Sequence, residues 1–165
     1  MEKEFLAVYE EYSDAVFRFC YLRVFERELA KDLMQQTFLK TWEYLSGKEK
    51  VENLKAFVFR VARNLIIDHH RTKREKVSVE ALVEEGYEPW AKDENWNLKI
   101  DLQQIQKVLN DLEDIYSEVL TLRYLEGFRP KEIAQILGET EDVVSVRIYR
   151  GLKKMRVLLK ENKFK

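Results

Sequence analysis

Long amphipathic stretches with almost nothing to break them limit this chain to a helical fold. Only five glycines and two prolines occur in 165 residues. Between them, apolar residues recur at spacings of three and four, which marks one face of a helix. Phe5, Tyr9, Tyr12, Val16, Phe19 and Leu22 give the first such face. A second helix is predicted from about Leu29 to Leu45, with Leu33, Phe38, Trp42 and Leu45 inward. Ser46-Gly47-Lys48 should stop it, because glycine accepts the positive backbone angle of a helix end. A third helix over about Leu54 to Lys73 carries Phe57, Val58, Val61, Leu65 and Ile66. Three helices of this length can enclose a core.

The period then fails. Residues 77–97 contain Gly86, Pro89, Trp90 and Trp96 and are strongly acidic, which reads as a linker, with tryptophans that can dock part of it on a domain or partner. From residue 98 the helical period returns. Ile100, Leu102, Ile105, Val108, Leu109 and Leu112 form one amphipathic run, and Ile115, Val119, Leu120, Leu122 and Tyr124 another. The expected architecture is therefore all-α: two small helical domains, residues 1–76 and 98–165, joined by an acidic linker over 77–97.

Net charge is only −1, which by itself argues against a nucleic-acid binder. The average hides two mildly basic blocks on either side of the acidic connector, and a weakly basic domain still binds DNA when its Lys and Arg share a face. One cysteine, Cys20, excludes an intrachain disulfide and a cysteine-built zinc site. It lies on the apolar face of the first helix and reads as core. Asp68-His69-His70 suggests a metal site only superficially, since adjacent helical residues point about 100° apart. No nucleophile–base pair or glycine-rich phosphate loop is present, so no catalytic residue, cofactor or metal is assigned. The first residues do not form a signal peptide and no apolar run can span a membrane, so a cytoplasmic protein without membrane insertion is expected.

Residues 131–151, KEIAQILGETEDVVSVRIYRG, carry the most information. Pro130 can open a short helix, its missing N–H not being needed there. Ile133, Ala134 and Leu137 face inward, and Gly138 makes the turn. Thr140 is a suitable N-cap, and Glu141 and Asp142 favour the positive end of the next helix. Val144 and Ile148 return to the core. This is the layout of a helix-turn-helix, whose second helix lies in the DNA major groove. Arg147, Tyr149, Arg150, Lys153, Lys154 and Arg156 supply an outward basic and aromatic surface. A plain helical hairpin with a solvated basic face would have the same periodicity.

The stretch from Leu109 to Arg156 resembles the fourth conserved region of sigma-70 family factors. YSDAVFRFCYLRV, AKDLMQQTFLKTWEYL and NLKAFVFRVARNLIIDHHRTKRE, in that order, resemble the second region. Having these two regions and a short connector, without the other sigma regions, is similar to the extracytoplasmic function (ECF) group. The resemblance implies an RNA polymerase sigma factor and gives each block a role. Asp32, Gln35, Gln36 and Leu39 on the second helix would bind core RNA polymerase at its clamp coiled coil, with Gln36 standing where the family more often has Glu. Asn53 and Asn64 would serve the pocket for a flipped −10 base. Arg60, Arg63, Arg71, Lys73 and Arg74 would hold the backbone of that strand. Asp68 can instead be structural, bridging to an arginine. In the last helix, Ser145, Val146, Tyr149 and Arg150 would face the −35 element, with Arg147 and Lys153 reaching phosphates. The polymerase flap and an anti-sigma factor are further implied partners. Glu113, Arg129-Pro130, Val143 and Ser145 depart from the usual pattern, which predicts weak DNA binding by the free protein and an unusual −35 preference.

Three other readings compete with it. A stand-alone helix-turn-helix regulator with a helical sensor domain explains the C-terminal half equally well. It leaves the basic third helix and the DLMQQTFLKTW block without a purpose. A metal hydrolase lacks ligand spacing, and a sigma-like protein that only sequesters polymerase would also carry the changes at Val143 and Ser145.

Overall fold

The computed structural model describes residues 2–48, 50–76 and 97–163, without the side chains of 73–76, 97–103 and 162–163. The chain divides into two compact units, Met1–Pro89 and Trp90–Lys165. Among the described residues all regular structure is helical. The first unit contains α1 (Glu2–Val24), α2 (Arg27–Ser46) and α3 (Leu54–Lys76). The second contains α4 (Asn97–Asp111), α5 (Asp114–Leu120), a π-helical segment (Thr121–Leu125), α6 (Pro130–Leu137) and α7 (Glu141–Lys163). The expected all-α fold with two helical domains is therefore the observed one. Apart from Asn97, which opens α4, the expected linker lies outside the described residues, and so do Trp90 and Trp96.

In the first unit Val16, Phe19 and Cys20 of α1, Ala30, Leu33 and Phe38 of α2, and Val58, Phe59, Ala62 and Ile66 of α3 are buried together. The rings of Phe19 and Phe59 meet edge-on at 5.5 Å between centroids, an arrangement favoured by the ring quadrupoles. The inward face of α3 centres on Val58, Phe59 and Ala62, so Phe57 and Val61 are only half-buried. Phe57 packs its ring on Tyr44 instead, 4.6 Å away. Two fully buried threonines on α2 satisfy their own hydroxyls. Thr37 donates to the Leu33 carbonyl at 2.7 Å and Thr41 to the Thr37 carbonyl at 2.8 Å, which removes the cost of burying a bare hydroxyl.

Two turns in this unit depart from expectation. Phe25, between α1 and α2, has φ of 56°, a left-handed conformation that costs a bulky residue about 1–2 kcal/mol. After α2, Gly47 has φ of −74° and it is Lys48 that turns left-handed, at 64°. The expected glycine stop thus falls one residue later, on the exposed Lys48.

The second unit depends more on backbone geometry. The π-helical segment closes with the Glu126 N–H donating to the Thr121 carbonyl at 3.1 Å, one residue wider than an α-turn. The extra residue shifts the phase of the side chains. Tyr124, expected inward, is exposed and Glu126 just after it is buried. Before the segment, in α5, Ile115 is likewise exposed against expectation and Glu118 is buried. Gly127 then adopts φ of 74°, and both polar groups of the buried Phe128 backbone are used. Its N–H donates to the Leu122 carbonyl at 3.0 Å and its carbonyl accepts from Arg123 Nη1 at 3.0 Å.

The helix-turn-helix forms as expected. The Arg129 N–H donates to Glu132 Oε2 at 2.9 Å. Only this half of a capping box is possible, since a guanidinium has no acceptor to return. Gly138 ends α6 at φ of 66°. Thr140 Oγ1 accepts the Val143 N–H at 3.3 Å and so caps α7. Val144 is fully buried. Gly151, in the middle of α7, lies against α5 so closely that a Cβ there would stand 3.2 Å from Leu120 Cδ1 and 3.3 Å from Tyr116 Cβ. A glycine inside a helix costs about 1 kcal/mol relative to alanine, and this close approach explains its use.

Candidate nucleic-acid and partner interfaces

The packing of each unit leaves one face of three helices outward, and those faces hold most of the residues singled out in the sequence. On α2, burial of Ala30, Leu33, Thr37 and Phe38 turns the opposite side to solvent. Asp32, Gln35, Gln36 and Leu39 are all exposed there, within about 100° of the helix circumference. Leu39 is 57% exposed. An uncharged leucine among short polar groups is a surface suited to a protein partner rather than to phosphate.

On α3 the exposed strip is basic. Arg60, Asn64, Ile67 and Arg71 are exposed and lie within about 60° of one another around the helix, with Arg63 at the margin. The strip combines charges for phosphates with an amide and an apolar group for a base. Arg71 Nη2 also stands 3.7 Å from Asp68 Oδ1, an exposed pair one turn apart, which is the structural role foreseen for Asp68 and is worth little in water. The side chains of Lys73 and Arg74 lie outside the described residues.

Asn53 has a local task that the sequence reading did not give it. Its Oδ1 accepts the Ala56 N–H at 3.0 Å and its carbonyl accepts the Phe57 N–H at 3.0 Å. It is the N-cap of α3 and fixes where the basic helix begins. Asn at this kind of position before a helical run was itself the signal.

On α7, Val144 and Gly151 pack inward, and Val146, Tyr149, Arg150 and Lys153 project outward. Val146 sits near the middle of that face, with Ser145 and Arg147 about 100° to either side. Tyr149 is 67% exposed. Arg147 is drawn back towards the turn, where its Nη2 donates to Glu139 Oε1 at 3.2 Å. Lys154 is likewise committed. It reaches Glu113 Oε1 at 2.6 Å and lies 4.9 Å from the centre of the Tyr116 ring. The hydrogen bond to Glu113 holds its ammonium above the usual lysine range. So Glu113, a departure from the family pattern, fastens α7 to the start of α5. Neither of these ion pairs joins neighbouring residues, and neither was visible in the sequence.

Cys20 is buried and free, and burial pushes its thiol up to about 12, which leaves it without nucleophilic character at neutral pH. Among the described residues no group of His, Cys, Asp and Glu is placed to hold a metal ion. No described helix is long and apolar enough to cross a membrane.

Comparison with known proteins places both units. Residues 8–76 match the family model for Sigma-70 region 2, and residues 102–155 match that for Sigma-70, region 4. Among curated relatives, the ECF RNA polymerase sigma factor SigM of Bacillus subtilis is 26% identical over 92% of this chain and 92% of its own length. SigL of Mycobacterium tuberculosis, also an ECF sigma factor, is 27% identical over 94% of this chain and 88% of its own. The ECF sigma factor BldN of Streptomyces coelicolor is 25% identical over 94% of this chain, which spans only 60% of that relative. The solved structure of the sigma factor RpoE in complex with the anti-sigma factor NepR, from Bartonella quintana, superimposes with a TM-score of 0.81 at 26% identity, covering 96% of this chain and 98% of that one. CnrH, solved with the cytosolic domain of CnrY, shares the fold at a TM-score of 0.75 and 20% identity, over 98% of this chain and 90% of that one. With both conserved regions present in order and ECF sigma factors among its relatives over nearly its whole length, the chain belongs to the ECF group of the sigma-70 family.

Proposed function

We propose that this protein is an RNA polymerase sigma factor that binds core polymerase and directs promoter recognition, without catalytic chemistry of its own. The observation that carries this reading is the pairing, in one chain, of both conserved regions, each with an outward helical face suited to its role. Residues 1–76 engage the polymerase clamp through Asp32, Gln35, Gln36 and Leu39. They hold the melted −10 strand along Arg60, Arg63, Asn64, Arg71, Lys73 and Arg74, with Asn53 setting the start of that helix. Residues 98–165 read the −35 element with Ser145, Val146, Tyr149 and Arg150, use Arg147 and Lys153 on phosphates, and touch the polymerase flap. The acidic segment 77–97 links them.

Two modest DNA contacts joined through one chain gain strength from effective concentration rather than from a large interface at either site. That accounts for a near-neutral protein acting on DNA only within holoenzyme. The protein works in the cytoplasm, where polymerase is, and takes an anti-sigma factor as a further partner, a reading supported by the RpoE–NepR complex.

The test is binding to purified bacterial core polymerase by size-exclusion chromatography and fluorescence titration. The chain co-elutes with core, and Gln35→Ala combined with Leu39→Ala weakens binding about fivefold or more, as loss of interface anchors does. A chain that ignores core polymerase but binds a duplex operator as a dimer is a stand-alone regulator, and the proposal fails.

A further inference from the structure

The outward face of α7 carries an unusual side chain at its middle. Val146 is 46% exposed, while Val144 and Gly151, on the far side of the helix, pack inward. Arg150 one turn on and Lys153 two turns on flank the same strip, so the face as a whole is directed at a polyanion. A β-branched apolar residue in that setting offers neither donor nor acceptor. In the major groove the base edges are mostly polar, and the largest apolar group is the 5-methyl of thymine, which apolar side chains contact, where cytosine offers only a C5–H. A polar base edge pressed against Val146 would lose water and gain no hydrogen bond, and a cytosine C5–H would leave the space of the methyl group unfilled.

Resting on the assignment of α7 to the −35 element, we infer that Val146 reads a thymine methyl group and makes thymine the preferred base at one −35 position. Arg150 stands on one side of it and Tyr149 and Ser145 on the other, and Arg150 and Ser145 can hydrogen-bond flanking base edges. The contact is a specificity determinant rather than a source of affinity. It involves one methyl group and a side chain already half-covered by its own helix.

The experiment starts from holoenzyme reconstituted with the full chain and a promoter library randomised across the −35 element. Each thymine of the selected element is then replaced singly by deoxyuridine, which lacks only the methyl group, and holoenzyme binding is measured. One replacement lowers the affinity of the wild-type holoenzyme about two- to fourfold, the worth of one partly buried methyl group. The same replacement leaves the Val146→Ala holoenzyme unchanged, because its partner is already gone. Deoxyuridine tolerated at every position, or an equal loss in Val146→Ala, overturns the inference while the sigma assignment stands. Failure to select any −35 sequence in the presence of the chain overturns both.

Discussion

The two units reach a stable helical fold by different means. The first is built from three helices of 23, 20 and 23 residues, and side chains decide how they pack. Phe19, Phe59, Val16, Val58 and Ile66 fill its centre, and the outward faces of α2 and α3 are what remains. Apart from the 23-residue α7, the second unit uses shorter elements, and backbone geometry decides where they go. A π-helical segment, left-handed glycines at 127 and 138, and a glycine contact at 151 set the path of the chain. A unit of the first kind should fail when a core side chain is cut away. One of the second kind should fail when a side chain is added where backbones touch.

Cys20 gives a reporter that separates them, because it is the one cysteine and lies in the first unit. With its thiol held at about 12 by burial, labelling at neutral pH requires that unit to open. The largest effect is expected for Phe59→Ala, which removes a fully buried ring at a cost of about 3–5 kcal/mol. Cys20 then labels rapidly, and the heat-induced loss of helix begins earlier. Slow labelling in this variant would mean that the ring is not central to the core. Next comes Gly151→Leu, which drives a branched side chain into Leu120 and Tyr116 and costs about 1–3 kcal/mol or more by overpacking. Here part of the helical signal melts earlier while Cys20 stays protected. Rapid labelling of Cys20 in Gly151→Leu would show the two units to be one cooperative structure.

Smaller effects test the surface pairs of the second unit. Glu139→Gln releases Arg147 for phosphate and removes a negative charge from the turn. Promoter affinity of the holoenzyme should rise up to about fivefold, the range of an exposed ion pair, and the salt dependence should steepen by about one phosphate contact. An unchanged salt slope would mean that Arg147 stays away from DNA. The smallest effect belongs to Lys154 and Glu113. Because the pair raises the lysine above its ordinary value, its contribution is present at neutral pH and disappears only as pH rises through the folded value, above the usual lysine range. Lys154→Met therefore changes the melting of the second unit slightly at low salt and neutral pH. At strongly alkaline pH, or in high salt, variant and parent converge.

Features ruled by one residue and its immediate neighbours were the legible ones. Pro130, Gly138 and Thr140 each act on their own turn, and the helix-turn-helix appeared where they put it. The long apolar periods of α1, α2 and α3 located the centre of the first core, although Tyr9 is exposed and Trp42 and Leu45 are only half-buried. Features that depend on the rest of the molecule were hidden. The π-helical segment turned Tyr124 outward, and nothing in TLRYL announces it; Ile115, at the start of α5, is exposed as well. Lys48, not Gly47, took the left-handed turn, and Phe25 took another with no glycine at all. Glu113 and Lys154 pair across 41 positions. Of the candidate surfaces, the basic strip of α3 stood out in charge alone. The α2 face of Asp32, Gln35 and Gln36 is an ordinary helix exterior in composition, and only the family resemblance gave it a role.

The central claim is that the faces of both units act together within one polymerase complex. Run-off transcription with core polymerase on a genomic promoter library tests it directly. Wild-type protein is compared with Gln35→Ala/Asn64→Ala in the first unit and Tyr149→Ala/Arg150→Ala in the second. Discrete transcripts that depend on the wild-type chain, and that fall sharply with either double variant, are the predicted result. Salt-sensitive binding to duplex DNA in the absence of polymerase, with no chain-dependent transcript, would contradict it.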